Sequence, residues 1–263
     1  MKLNIVPAGT GIQWVKLGIR TFLKQPLALT GLFFLYWAAA FLLLVLPLVG
    51  PILALATMPI STLGMMIASH EAVEGRFPMP RAVAALFRAG RKRLLALGLL
   101  GLIFAGVMIG LMALVPLMVD VSQLRTTVTP ETMTPEIAAQ VLTAMSVAAL
   151  LYLPISLMFW HAPALVYWHG VSPVKSLFFS VVACLRNGKA LLLFGLAWAA
   201  VVFAALMVMA VLSLVTGQLV AAFAFQPLVL MISAMFSTSL YFTFRDSFVA
   251  TSDPAQPSPG EPT

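Results

Sequence analysis

The sequence predicts an all-α membrane protein with six transmembrane helices in three hairpins, each hairpin preceded by a basic amphipathic surface helix. Two observations carry that expectation. All fifteen Lys and Arg residues except Arg125 fall in four short segments, Lys2–Lys24, Arg76–Arg93, Lys175–Lys189 and Arg245, and the stretches between them are long and almost free of charge. Hydrophobic residues make up 62% of the chain and charged residues 9%. A water-soluble domain carries roughly 25% charged residues, so lipid must be the main solvent of this chain.

The elements follow from length. A helix needs about 20 residues to cross the hydrocarbon layer. Leu27–Ser69 therefore holds two spans, near 28–48 and 52–70, with Pro47 and Gly50-Pro51 supplying the turn. Leu94–Val119 holds one, near 94–119. Ile137–His169 is long for one span and short for two. It reads as a single span, near 137–162, with its end broken by Pro154 and Pro163, each of which removes a helix hydrogen bond. Ala190–Phe244 folds back at Thr216-Gly217-Gln218 into spans near 191–215 and 219–242. Residues 1–248 thus form one membrane domain, and the Pro-rich, polar stretch 249–263 reads as a disordered cytoplasmic tail.

Six spans put both termini on one side. Placing the four basic segments inside leaves only Arg125 outside, near Asp120, Glu131 and Glu136, which predicts cytoplasmic termini by the positive-inside bias. The polar, basic first 26 residues do not resemble a cleavable leader, so the first span is expected to stay as an anchor. Cys184 is the single cysteine, and it excludes an internal disulfide.

Each basic segment has amphipathic spacing. Lys16, Arg20 and Lys24 form one stripe with Ile12, Val15, Ile19, Phe22 and Leu23 turned away from it and Trp14 placed for the membrane interface. Arg81–Arg93 carries Arg88, Arg91, Lys92 and Arg93. Pro173–Lys189 sets Phe178, Val181, Val182 and Leu185 against Lys175, Arg186 and Lys189. An offset of 95 residues relates Met58-Pro59-Ile60-Ser61 to Leu153-Pro154-Ile155-Ser156, Gly75 to Gly170 and Pro78 to Pro173, which suggests an internal repeat. The pair Gly106 and Gly110 in the third span, with Ala200 and Ala204 in the fifth, predicts close internal helix packing, with dimerisation as the alternative.

Chemistry is sparse. The six span interiors hold no Asp, Glu, Lys or Arg, whereas ion-coupled carriers keep such residues at depth. Pro154, Trp160, His161 and Tyr167, with Tyr152, Trp168 and His169 nearby, form a candidate polar and aromatic patch; the ordinary aromatic belt at the interface is the competing account. His70 and Glu74 stand at the two His positions of a zinc-protease helix motif, but Glu74 replaces the second ligand. Ser233, Ser237, Thr238, Ser239, Gln140 and Gln226 offer uncharged hydrogen bonding, between helices or along a polar path. No catalytic set, metal site or cofactor is assigned. A net charge of +7 comes from residues flanking apolar spans, so it does not signify nucleic-acid binding.

Gln13-Trp14-Val15, Phe22, Lys24-x-Pro26, Leu46-Pro47-Leu48-Val49-Gly50-Pro51, Met58-Pro59 and Ser172-Pro173-x-Lys175-Ser176-x-Phe178-x-Ser180, with Arg186-Asn187, carry a resemblance. They resemble an uncharacterised family of proteobacterial inner-membrane proteins. More distantly they are similar to the membrane domain attached to some glycerophosphodiesterases. The resemblance implies a six-span bacterial inner-membrane protein; the phosphodiesterase activity sits in a separate soluble domain and is not carried over. The expectation is a non-enzymatic accessory or scaffold module whose basic cytoplasmic face meets anionic lipid headgroups, with a protein partner or homo-oligomer as further candidates. The alternative is a small permease or lipid-handling transporter with a path between the repeated hairpins near Pro59, Pro154 and His161.

Overall fold

The computed structural model describes residues 2–78, 84–85, 88–119 and 134–249. Nine helices are found among them: α1 (Thr10–Lys24), α2 (Pro26–Leu43), α3 (Gly50–Val73), α4 (Arg91–Met118), α5 (Pro135–Phe159), α6 (Ala162–His169), α7 (Pro173–Arg186), α8 (Gly188–Thr216) and α9 (Gln218–Ser247). Six segments are long and apolar enough to cross a membrane: α2, α3, α4, α5 together with α6, α8 and α9. Two-residue strands β1 (Lys2–Leu3) and β2 (Phe248–Val249) pair antiparallel, with Lys2 opposite Val249. The chain's two ends therefore meet at one end of the bundle. Val249 belongs to this pairing rather than to the tail, and 250–263 lie outside the described residues.

Helix α3 is the hub, packing on α2, α4, α9, α1 and α6. Half of its membrane-length window is buried, against 17% for α2 and 6% for the α5–α6 segment. Burial is concentrated where the termini meet. Every residue of 63–69 in α3 and of 238–244 in α9 is buried, whereas Leu214, Val215, Leu219 and Phe223 at the opposite end are widely exposed. The bundle is closed at the end carrying the termini and splayed at the other, where apolar side chains need no protein cover because lipid solvates them equally well.

Four sequence expectations change. Gly50 and Pro51 do not form the turn before α3; they open the helix, and the turn is made by 44–49, with Leu48 at a positive φ of 63°. Proline at the start of a helix loses no bond there, which is why Gly-Pro reads equally as a turn and as a start. Trp14 is not at the interface. It is fully buried, because α1 packs its apolar face on α9 and α8. Arg91, Lys92 and Arg93 form the first turn of α4 itself, after Gly90 (φ 84°); of the expected surface helix Arg81–Arg93, residues 81–83 and 86–87 lie outside the described residues. Gly106 and Gly110 face open space, as do Ala200 and Ala204. The close approach occurs at Gly101, where a Cβ would collide with the Ala56 carbonyl of α3.

Most other details sit where the spacing puts them. Gly217 (φ 87°) joins α8 to α9, and the fourth span breaks between Phe159 and Ala162, next to Pro163, whereas Pro154 stays inside α5 and does not break it as expected. Gly75 and Gly170, related by the offset of 95, both take left-handed φ values, 75° and 63°, at helix ends, the conformation that favours glycine after a last turn.

Candidate functional site

Two regions are built from polar or accessible groups. The first is the closed end. The start of α2 meets the end of α3 there through Gln25 Nε2, which donates to the Arg76 carbonyl (3.2 Å), and α3 meets α9 through a hydrogen bond shared by His70 Nδ1 and Tyr241 Oη (2.9 Å). Asn187, 2% exposed at the junction of α7 and α8, accepts from the Val6 N–H through Oδ1 and donates through Nδ2 to the Asn4 carbonyl and Ser247 Oγ. Trp14 Nε1 donates to Asp246 Oδ2 at 2.8 Å, and Arg245 Nε donates to the other oxygen. The Asn187 bonds and the β1–β2 pairing strap residues 2–6 across the end of the bundle, and the Trp14 bond fixes α1 behind them.

Arg76 pairs with Glu71 and Glu74, and the Glu71 hydrogen bond holds its guanidinium pKa above the ordinary value. His70 Nε2 lies 3.5 Å from Glu74 Oε1, so these residues belong to an ion-pair cluster at the helix end. Lys16, Arg20, Lys24, Arg88, Arg91, Lys92, Arg93, Lys175, Arg186 and Lys189 are all exposed, and among the described residues none of them forms an ion pair. On α7 the protein-facing residues are Ser176, Leu177, Ser180, Ala183 and Cys184, mostly small, while Val174, Phe178 and Leu185 are 64–70% exposed. Burial pushes the Cys184 thiol up to about 12, so it is protonated and unreactive at neutral pH.

The second region lies halfway along the spans. A cavity of about 490 Å³ is bounded by α2, α3, α8 and α9, with Tyr36, Ser61, Thr62, Ser233 and Ser237 among apolar walls. A neighbouring cavity of about 540 Å³ shares Met58, Thr62 and Phe236 with it and extends to Pro59, Ser156 and Trp160. Pro59 cannot donate to the Leu55 carbonyl, and both residues line this second space.

The candidate patch is not one site. Pro154 is exposed on the outside of α5. Trp160 lines the second cavity and donates to Thr243 Oγ1 at 3.2 Å. His161 is 1% exposed, set between the rings of Phe244 and Phe248 at 6.0 and 5.5 Å, with its backbone N–H donating to Ser180 Oγ. Tyr167 turns toward the Ala85 carbonyl (3.4 Å). Instead, His161, Trp168 and His169 converge on Phe244. Of the run Ser237, Thr238 and Ser239, each hydroxyl donates within α9, and Ser239 also accepts from another span, from Trp198 Nε1 at 3.2 Å, as Thr243 does from Trp160.

Six apolar spans with a charged closed end describe a multi-pass membrane protein, and a relative names the membrane. The chain is 33% identical over 261 residues to a probable inner membrane protein of Burkholderia thailandensis, with 94% of each chain covered. The chain belongs to that protein's family. This inner-membrane protein matches no family model and no solved structure, so its site must be argued from its own residues. Asp246 and Tyr36 are functional-region residues that sequence reasoning missed, and the roles of Trp14, expected at the membrane interface, and of Asn187 were not foreseen. The partners of Trp14 and Asn187 lie at the far ends of the chain, and no local pattern links them.

Proposed function

We propose that this inner-membrane protein is a non-enzymatic accessory module that holds anionic lipid headgroups against a basic cytoplasmic face, with both termini cytoplasmic. One observation carries the reading: ten exposed basic side chains without an ion-pair partner among the described residues, all in segments that flank the closed ends of the spans. Each Lys or Arg near an anionic surface contributes roughly 1 kcal/mol. Helix α7 adds a second contact, since its exposed Val174, Phe178 and Leu185 suit the acyl boundary while Lys175 and Arg186 suit headgroups. In this reading the basic segments are amphipathic helices, each leading into a two-span hairpin, and the same face is where a protein partner or second copy docks.

The test replaces Lys16, Arg20 and Lys24 with Gln and counts phosphatidylglycerol and cardiolipin retained by the purified chain in native mass spectrometry. Fewer anionic lipids at unchanged zwitterionic content supports the proposal. Retention equal to the unsubstituted chain removes it.

A second reading, lipid handling within the bilayer, has its own observation: two cavities meeting at Met58, Thr62 and Phe236 between the hairpins. The route narrows relative to the one sketched from the prolines, since Pro59 and Trp160 line it while Pro154 and His161 do not.

A further inference from the structure

The cavity between α2, α3, α8 and α9 has walls with a specific chemistry. Helices α2 and α8 stand on either side of it, each packed on α9. Trp37 of α2 and Val202 of α8 line it while remaining 44% and 41% exposed, so they mark a mouth opening sideways into the bilayer. At about 490 Å³ it falls within the roughly 300–1,000 Å³ of small-molecule sites.

Three of its hydroxyls are committed in one direction. Ser61 Oγ donates to the Thr57 carbonyl (2.9 Å), Thr62 Oγ1 to the Met58 carbonyl (3.1 Å) and Ser237 Oγ to the Ser233 carbonyl (2.8 Å). A hydroxyl has one proton to give and two lone pairs to accept with. These three therefore line the cavity as acceptors. Tyr36 Oη, also in the wall, is buried without a hydrogen-bond partner among the described residues and abuts Gly64, where any Cβ would collide with it. Among the described residues no Asp, Glu, Lys or Arg lines the space, and a charged headgroup at this depth would lack compensation. The fitting occupant is apolar over most of its length, uncharged, and able to donate a hydrogen bond.

We propose that this cavity binds a single-chain lipid alcohol, its hydroxyl donating to the acceptor set Ser61, Thr62 and Ser237. This deepens the second reading above by naming its ligand. A phospholipid acyl chain has no donor to offer these groups and leaves them unpaired, which separates the two occupants.

The experiment uses the full chain in phospholipid nanodiscs and oleyl alcohol carrying a diazirine as a photolabel. Unlabelled oleyl alcohol should displace the label at about tenfold lower concentration than oleyl methyl ether, which has the same chain and no donor, a ratio matching one hydrogen bond. Labelled peptides should map to α2, α3, α8 or α9. Combining Ser61→Ala, Thr62→Val and Ser237→Ala should bring the two competitors within twofold, and Ala199→Trp should remove saturable labelling by filling the space. Equal competition on the unsubstituted chain overturns the proposal even if a variant fails to fold, as does labelling that ignores Ala199→Trp in a folded variant. Transfer of oleyl alcohol between leaflets of proteoliposomes reads the lipid-handling proposal separately. Selective binding without transfer removes that reading and keeps the site, while transfer without selective competition removes the site.

Discussion

The Trp14 indole donates to the Asp246 carboxylate at 2.8 Å across 232 residues of chain, tying α1 to the last turn of α9. Trp14 is fully buried and packs edge-on to Phe194 at 6.2 Å. Trp14→Phe keeps much of the ring volume and removes the donor. It should lower unfolding free energy by about 1.5–3 kcal/mol, the range for a hydrogen bond to a charged group. Thermal unfolding of Trp14→Phe, Asp246→Asn and the double variant should give non-additive losses. Additive losses would mean that the pair does not act as a unit.

Helix α3 and helix α4 meet through Gly101, not through the more conspicuous glycine pair. Gly101→Ala puts a methyl against the Ala56 carbonyl, whereas Gly106→Ala meets nothing within 4 Å. Overpacking of this kind costs about 1–3 kcal/mol. The unfolding temperature should fall for Gly101→Ala and stay level or rise for Gly106→Ala, since alanine is the better helix former. The opposite order would place the α3–α4 contact elsewhere.

Cys184 should resist a water-soluble maleimide at pH 7.5 and react fully after denaturation, because it is 1% exposed and burial raises its thiol pKa to about 12. The folded thiol keeps its proton longer than the unfolded one. Its contribution to stability is therefore complete below the ordinary value of 9.0 and is lost as pH rises toward about 12. Modification of the native chain at pH 7.5, at a rate near that of free cysteine, would contradict the buried placement.

A silent Cys184 makes orientation measurable without removing it. Leu48→Cys lies in the turn between α2 and α3, where Leu48 is 92% exposed, and Ser172→Cys lies just before α7 at the closed end. With cytoplasmic termini, an impermeant maleimide added to intact cells should label the first and spare the second until the membrane is opened. The reverse pattern would invert the topology.

Span number and the fold-back at Gly217 were legible because they depend on local chemistry, whereas the turn read at Gly50-Pro51 and the break read at Pro154 were not where the structure has them. Charge cannot sit in hydrocarbon without compensation, so the clustered Lys and Arg residues mark where the spans begin. Gly217 marks the fold-back of α8 and α9 through a φ of 87°, which glycine alone adopts cheaply. The face of each span was not legible. Helix α4 is apolar on every side from Leu94 to Met118, so it lacks the periodicity that reveals a buried stripe, and Gly101 looks no different from Gly106. The α1 stripe was readable, but its apolar side suits lipid and protein equally, and only the packing of α8 and α9 shows that protein covers it.

By itself, the sequence determined the solvent, the six spans and the shared side of the two termini, since hydropathy and charge act residue by residue through transfer from water to lipid. Tertiary structure decided which faces meet, which end of the bundle closes, and where a cavity remains. In a bilayer, apolar faces gain little by choosing protein over lipid, so those choices rest on shape and on a few hydrogen bonds. Gly101 beneath Ala56, Trp14 on Asp246 and Asn187 across the N-terminal strap are such contacts, and each joins residues far apart in the chain.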